Sequence, residues 1–144
     1  MVDSNREAEL RRAVEALYFG YRSFTSLPDQ ILAEYDLGRA HHRILYFVQR
    51  EPGISVGSLV AVLDVSKQAL NRPIRELEAL GFVTIRSDPH DGRIRRLSTS
   101  AAGAALESRL TGAQLDLLES VFADVDSHAE RGWRDVMARL AGDG

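Results

Sequence analysis

Apolar residues recur along the first part of the chain at Leu10, Ala13, Val14, Leu17, Tyr18, Tyr21 and Phe24, and these steps of three and four draw one stripe down an amphipathic helix. That helix is expected to stop before residues 26–30, SLPDQ. Pro28 suits the first turn of a second, short helix reaching about Tyr35, because a first-turn position leaves its amide unbonded anyway. The DLG of residues 36–38 then interrupts the chain. Ile44, Leu45, Phe47 and Val48 define a third helix over residues 39–51, closed by EPG. Ser55 caps a fourth helix of about nine residues, and Asp64 with Val65 makes a tight turn. Ser66 caps a fifth helix, which Gly81 ends as a left-handed residue.

After Gly81 the period changes. FVTIRS (82–87) and RIRRLST (93–99) are short and rich in β-branched or long polar residues, and DPHDG (88–92) between them has hairpin-turn chemistry. Ser100 caps a long helix carrying Leu106, Leu110, Leu117, Leu118, Val121, Phe122 and Val125, for about 37 Å at 1.5 Å per residue. SHAE at residues 127–130 matches a capping box and starts a terminal helix with Trp133, Val136, Met137 and Leu140 on one side. The predicted fold is mainly α with a small β-hairpin. Short helix, tight turn, helix and hairpin make a winged helix-turn-helix over residues 37–99, flanked by helical spans 1–36 and 100–144 that suit dimerisation, in a single intertwined domain.

In such a module the second helix lies in the major groove of duplex DNA with its N-terminal end against base edges. Here its inward face is expected to be Ala69, Leu70, Ile74, Leu77 and Leu80. Ser66, Lys67, Gln68, Asn71, Arg72 and Arg75 then face outward. Gln and Asn pair bidentately with adenine, and Arg or Lys with guanine, so this face has the donors that groove reading needs. The hairpin tip is expected to expose Arg93, Arg95 and Arg96, which can enter a minor groove or hold phosphates, with Asp91 placed to orient Arg93.

Charge distribution fits this reading better than net charge does. The whole chain of 144 residues carries −3, but residues 37–99 hold ten Lys/Arg against six Asp/Glu and the flanks eight against fifteen. A basic middle therefore sits between acidic arms. The length and the 44% hydrophobic content suit one domain with a core. There is no cysteine, which excludes disulfides and thiolate metal sites. With no secretory start and no apolar run near the roughly 18 residues of a membrane helix, a cytoplasmic soluble protein with no membrane association is expected.

At this point the residues carry a resemblance. LGRAHHRIL, SKQALNRPIRELEALGFV, the wing DPHDGR and the following TSAAG are similar to the MarR family of transcriptional regulators over residues 37–103. The resemblance implies an Asp-x-Arg wing signature at Asp91 and Arg93, with the arginine in the minor groove, and base readers at Lys67, Gln68, Asn71, Arg72 and Arg75. It also implies a homodimer, sealed by residues such as Tyr18, Tyr21, Phe24, Leu117, Val121, Phe122 and Trp133, on a pseudopalindromic operator. A repressor released by a small aromatic ligand is the implied function, the ligand crevice falling near Tyr18, His41, His42 and Arg43. Gly92 and Thr99 depart from the family, which usually has Arg and Leu there. Pro73, inside the recognition helix, is expected to bend it rather than to start it, because the stripe runs unbroken from Leu70 through Ile74 to Leu77.

No cofactor, metal or catalysis is expected. His41 and His42 are adjacent, about 100° apart on a helix, and neither has a His or carboxylate at i+4. GISVG at residues 53–57 matches a nucleophile-elbow pattern but lacks the surrounding large sheet. The alternative to a DNA-binding regulator is a winged helix that binds a protein partner. The polar face of the fifth helix argues against it, since protein-binding faces show aromatic or aliphatic groups.

Overall fold

The computed structural model describes residues 3–142, so the outermost two residues of each expected flanking span lie outside the described part. The elements in chain order are α1 (Ser4–Ala33), α2 (Arg39–Arg50), β1 (Ile54–Ser55), α3 (Val56–Leu63), α4 (Lys67–Ala79), β2 (Val83–Ser87), β3 (Arg95–Thr99), α5 (Ala101–Ala123) and α6 (Ser127–Ala141). Mainly helical, with a small antiparallel sheet, this is the expected class. The sheet has three strands, in the order β1-β3-β2, rather than the two of a bare hairpin. β1 is two residues long, too short to show alternation in the sequence, and it pairs Ile54 with Leu97 while β2 pairs Ile85 with the same residue.

The two helices expected on either side of residues 26–30 are one. α1 runs through Pro28. The proline removes a single amide, and its ring is buried with Thr25, Ile31 and Leu32 where α1 meets the rest of the chain. Burying Leu32 to 1% exposure stabilises the continuation by about 1.5–3 kcal/mol, enough to offset one missing bond. Asp36, at φ 61°, then turns the chain into α2.

The core gathers around Leu97, with Ile44, Leu45 and Val48 of α2, Leu59 of α3, Leu70, Ile74 and Leu77 of α4, Val83, and Leu106 and Leu110 of α5. Two residues expected on the inner face of α4 lie elsewhere. Ala69 is exposed, a quarter-turn away from Leu70, and Leu80 is the exposed C-cap residue. α4 is continuous through Pro73, as the Leu70, Ile74 and Leu77 stripe requires. Its end is closed twice: the Phe82 amide donates to the Leu77 carbonyl at 2.9 Å and the Gly81 amide to Glu78 at 3.0 Å, with Gly81 at φ 80°. Only glycine holds that left-handed angle without a steric cost.

Burial stops sharply at both ends of the module. Neither residues 4–24 nor residues 111–142 contain a buried side chain. α6 starts one residue earlier than the SHAE pattern implied: Asp126 is the cap, accepting the Ala129 amide at 2.8 Å, and Ser127 is already helical. Aspartate caps as well as serine, so the pattern alone did not choose between them.

Candidate nucleic-acid interface

α3 and α4 meet across three residues. Asp64 takes the left-handed conformation at φ 52°, and the Ser66 hydroxyl accepts the Ala69 amide at 3.0 Å, fixing where α4 begins. Ser55 does the same for α3, accepting the Ser58 amide at 3.0 Å. The serine of the GISVG pattern is therefore a helix cap. Buried Leu59 and Leu70 then hold the two helices together.

With Leu70, Ile74 and Leu77 buried, the opposite face of α4 carries Gln68, Arg72 and Arg75, all exposed, with exposed Lys67 at the first turn. Among the described residues, no hydrogen bond or ion pair engages the side chains of Lys67, Gln68 or Arg75. Asn71, expected outward with them, is half-buried because it follows Leu70 on the flank of the packed stripe. The cap residue Ser66 is exposed as well.

The wing tip is built by two aspartates. Asp88 Oδ1 accepts the amides of His90 at 2.7 Å and Asp91 at 3.0 Å, and the Asp88 amide closes the loop on the Ile94 carbonyl at 2.8 Å. Asp91 then grips Arg93: Oδ1 accepts its Nε and Oδ2 its Nη2, each at 3.1 Å. The Arg93 side chain is 91% exposed, a cation held out on a short, aimed arm. Its guanidinium keeps the Asp91 carboxyl below the ordinary range, so the pair stays ionised. Arg95 is also exposed, at the start of β3.

Arg96 is not at the tip. Its Nε donates to Asp88 Oδ2 at 2.6 Å and its Nη1 to the Gly53 carbonyl at 3.0 Å, so it ties the wing root to the segment between α2 and β1. The reason is strand alternation: Arg95 and Arg96 point to opposite faces, and Arg96 pairs with Ser55 of β1, which places it near Gly53. The Arg96 bond also lowers the carboxyl of Asp88. Thr99, at the position where the resemblance would put leucine, donates to Gln49 Oε1 on α2, a polar tie in place of apolar packing.

A cavity of about 380 Å³ opens between α1, α2 and α5, lined by Phe24, Phe47, Leu115 and Leu118 among others, and by polar Tyr21, Asp29, Arg39, His42, Arg43 and Thr111. Two of the four expected crevice residues line it. His42 is buried and its Nε2 lies 3.2 Å from Thr111 Oγ1, whose hydroxyl in turn donates to buried Glu107. Arg43 donates to the Tyr21 hydroxyl at 2.9 Å. Burial pushes the His42 ring below its ordinary value, partly opposed by Glu107. The other two do not line it. Tyr18 is 61% exposed on α1, one turn too early, and His41 points away toward α4. Arg39, which donates to Asp29 at 2.9 Å, and Thr111 were missed. Their only signal was a one-turn offset from residues already singled out, or a place on a distant helix.

A tight helix pair, an arginine-tipped hairpin backed by a third strand, and flanking helices define a winged helix-turn-helix protein. A sequence model of the MarR family matches residues 35–94. The HTH-type transcriptional regulator PetP of Rhodobacter capsulatus is 42% identical over 134 residues, spanning 93% of this chain and 81% of that protein. The chain belongs to the MarR family of transcriptional regulators. Solved structures share the fold: Streptococcus pneumoniae FabT in complex with DNA aligns at TM-score 0.83 with 12% identity, covering 92% of this chain and 95% of that one. A MarR transcriptional regulator from Methanosarcina mazei Go1 aligns at 0.76 with 23% identity, covering 93% and 96%.

Proposed function

We propose that this protein is a dimeric, sequence-specific repressor of the cytoplasm that binds double-stranded DNA. α4 enters the major groove with Lys67, Gln68, Arg72 and Arg75 toward base edges and phosphates, Ser66 and Asn71 at its margins, and Arg93 reaches the adjacent minor groove. Arg95 contacts backbone phosphate. Arg96 and Asp91 act indirectly, the first by fixing the wing root and the second by aiming Arg93. The observation that carries this reading is the outer face of α4, where Lys67, Gln68, Arg72 and Arg75 stand exposed and, among the described residues, only Arg72 has a side-chain partner, Glu76 on the same helix. That FabT, whose fold this chain shares, was solved in complex with DNA supports a DNA partner.

The arms supply the two-fold. Val14, Leu17, Tyr18, Val121, Trp133, Val136 and Leu140 are all exposed in the single chain, and two copies exchanging these surfaces would bury them as one intertwined domain. A two-fold dimer reads two half-sites about 10 bp apart, centre to centre. The cavity between α1, α2 and α5 takes a small aromatic effector, its apolar walls receiving the ring while His42, Arg43 and Arg39 address polar substituents.

Selection of bound duplexes from a random pool by the purified protein tests the proposal. The expected result is a pseudopalindromic consensus whose affinity falls steeply with salt as counterions are released. An unenriched pool would point instead to a protein-partner module.

A further inference from the structure

The side chain of Arg72 is not left to itself. Arg72 lies within about 20° of the direction opposite the buried stripe of α4, counting 100° per residue, and is 84% exposed. One turn on, Glu76 presents Oε2 to the Arg72 Nε at 3.8 Å. The contact is through Nε, and at 3.8 Å it is an ion-pair approach and not a hydrogen bond. Glu76 is fixed in turn. Its Oε1 lies 3.1 Å from Nε2 of His41, which comes from the first turn of α2 and is only 12% exposed. The other ring nitrogen of His41, Nδ1, accepts the Gly38 amide at 2.9 Å, so Nε2 carries the proton and donates to Glu76. The chain of contacts thus runs from a backbone amide through an oriented ring to a carboxylate, and ends on the most outward arginine of the recognition helix.

We infer that His41 and Glu76 are positioning residues for Arg72, presenting its terminal nitrogens as a fork for the O6 and N7 atoms of one guanine in each half-site. This rests on the groove-reading role proposed for α4 and adds the base that one of its residues reads. A free arginine has many rotamers to lose when it docks. One held along its Nε edge has fewer, and it keeps the bidentate geometry that distinguishes guanine from the other bases. On docking, a small rotation of the Arg72 side chain closes the 3.8 Å approach to hydrogen-bond length. Because Glu76 is an anion near phosphates, it contributes nothing to bulk affinity. Its contribution is discrimination.

The first turn of α2 has neighbours on both sides. Arg39, His42 and Arg43 line the cavity while His41 holds Glu76, so the same turn that would meet an effector also supports the reading side chain.

The test is duplex selection with full-length wild type, Arg72→Ala, Arg72→Lys, Glu76→Gln and His41→Phe, each first confirmed folded by its thermal transition. Wild type is expected to prefer guanine at one symmetric position per half-site, and both Arg72 variants to lose that preference, since lysine keeps the charge but not the fork. Glu76→Gln and His41→Phe should weaken the same preference on the order of tenfold, with binding to a random-sequence duplex unchanged or tighter. If Glu76→Gln keeps the wild-type consensus at the position that Arg72→Ala alters, the positioning role is wrong and the groove-reading role stands. If wild type selects no duplex, both fall together.

Discussion

Replacing Gly103 with alanine probes how α5 fixes the wing to the recognition helix. Gly103 is in the first turn of α5 against the chain segment that leaves α4, and a Cβ built there would lie 1.9 Å from the carbonyl oxygen of Phe82 and 2.8 Å from its carbon. Ordinary contact begins near 3.4 Å, so helix and segment must part by about 1.5 Å. Three anchors meet at that seam. The Ser100 amide donates to the Phe82 carbonyl at 3.0 Å, the Ser100 hydroxyl donates to the Gly81 carbonyl at 2.5 Å, and the Gly103 amide donates back to the Ser100 hydroxyl at 3.0 Å. Overpacking costs about 1–3 kcal/mol and a lost bond about 1, while alanine regains about 1 in helix propensity. The net expected loss is about 1–3 kcal/mol, a large share of the 5–15 kcal/mol typical of a folded domain. Urea denaturation of wild type and variant measures it directly. Weaker duplex binding should accompany the loss, because Phe82 joins α4 to β2 and moving it shifts the wing relative to the reading face. A variant within about 0.5 kcal/mol of wild type would refute the close approach of α5 to Phe82.

Three further outcomes are expected. Pro73→Ala should raise stability by at least about 1 kcal/mol of the roughly 3 kcal/mol an interior proline costs, and should alter duplex affinity; urea denaturation and fluorescence anisotropy would register no change in either if the proline were neutral. Arg93→Ala should weaken duplex binding roughly tenfold and reduce the salt slope by about 1, whereas Asp91→Asn should weaken it less, since the charge remains and only its aim is lost. The depressed value of His42 means that the unfolded chain takes up this proton more readily than the folded one, so the stability linked to His42 is fully present above its ordinary value of 6.5 and is lost as pH falls below it. His42→Gln, which keeps a donor toward Thr111, should flatten the loss seen in denaturation curves as pH falls below about 6.5, above the range in which the paired carboxylates of Asp88 and Asp91 protonate.

Much of the winged module could be read from the chain because local chemistry decided it. Ser55, Ser66 and Ser100 each cap the helix expected of them, and the Leu70, Ile74 and Leu77 stripe survives Pro73. What escaped was decided by tertiary partners. Pro28 reads as a break until the burial of Ile31 and Leu32 is known. Arg96 looks like a third arginine of the tip, but its partner Gly53 is 43 residues away and becomes a neighbour only through β1. His41 and His42 are adjacent in sequence, yet one serves α4 and the other the cavity, a split set by the 100° between successive helical residues. Thr111 enters the cavity wall from α5 with Glu107 bonded to its hydroxyl, and nothing near His42 in the chain announces either.

The central claim, that two copies of the α4 face and two wings lie in the grooves of one duplex, is tested most directly by base-resolution footprinting on the selected consensus. Major-groove protection is expected in two half-sites about 10 bp apart, each adjoined by minor-groove protection that disappears with Arg93→Ala. A single protected half-site, or protection that does not change with Arg93, would contradict it.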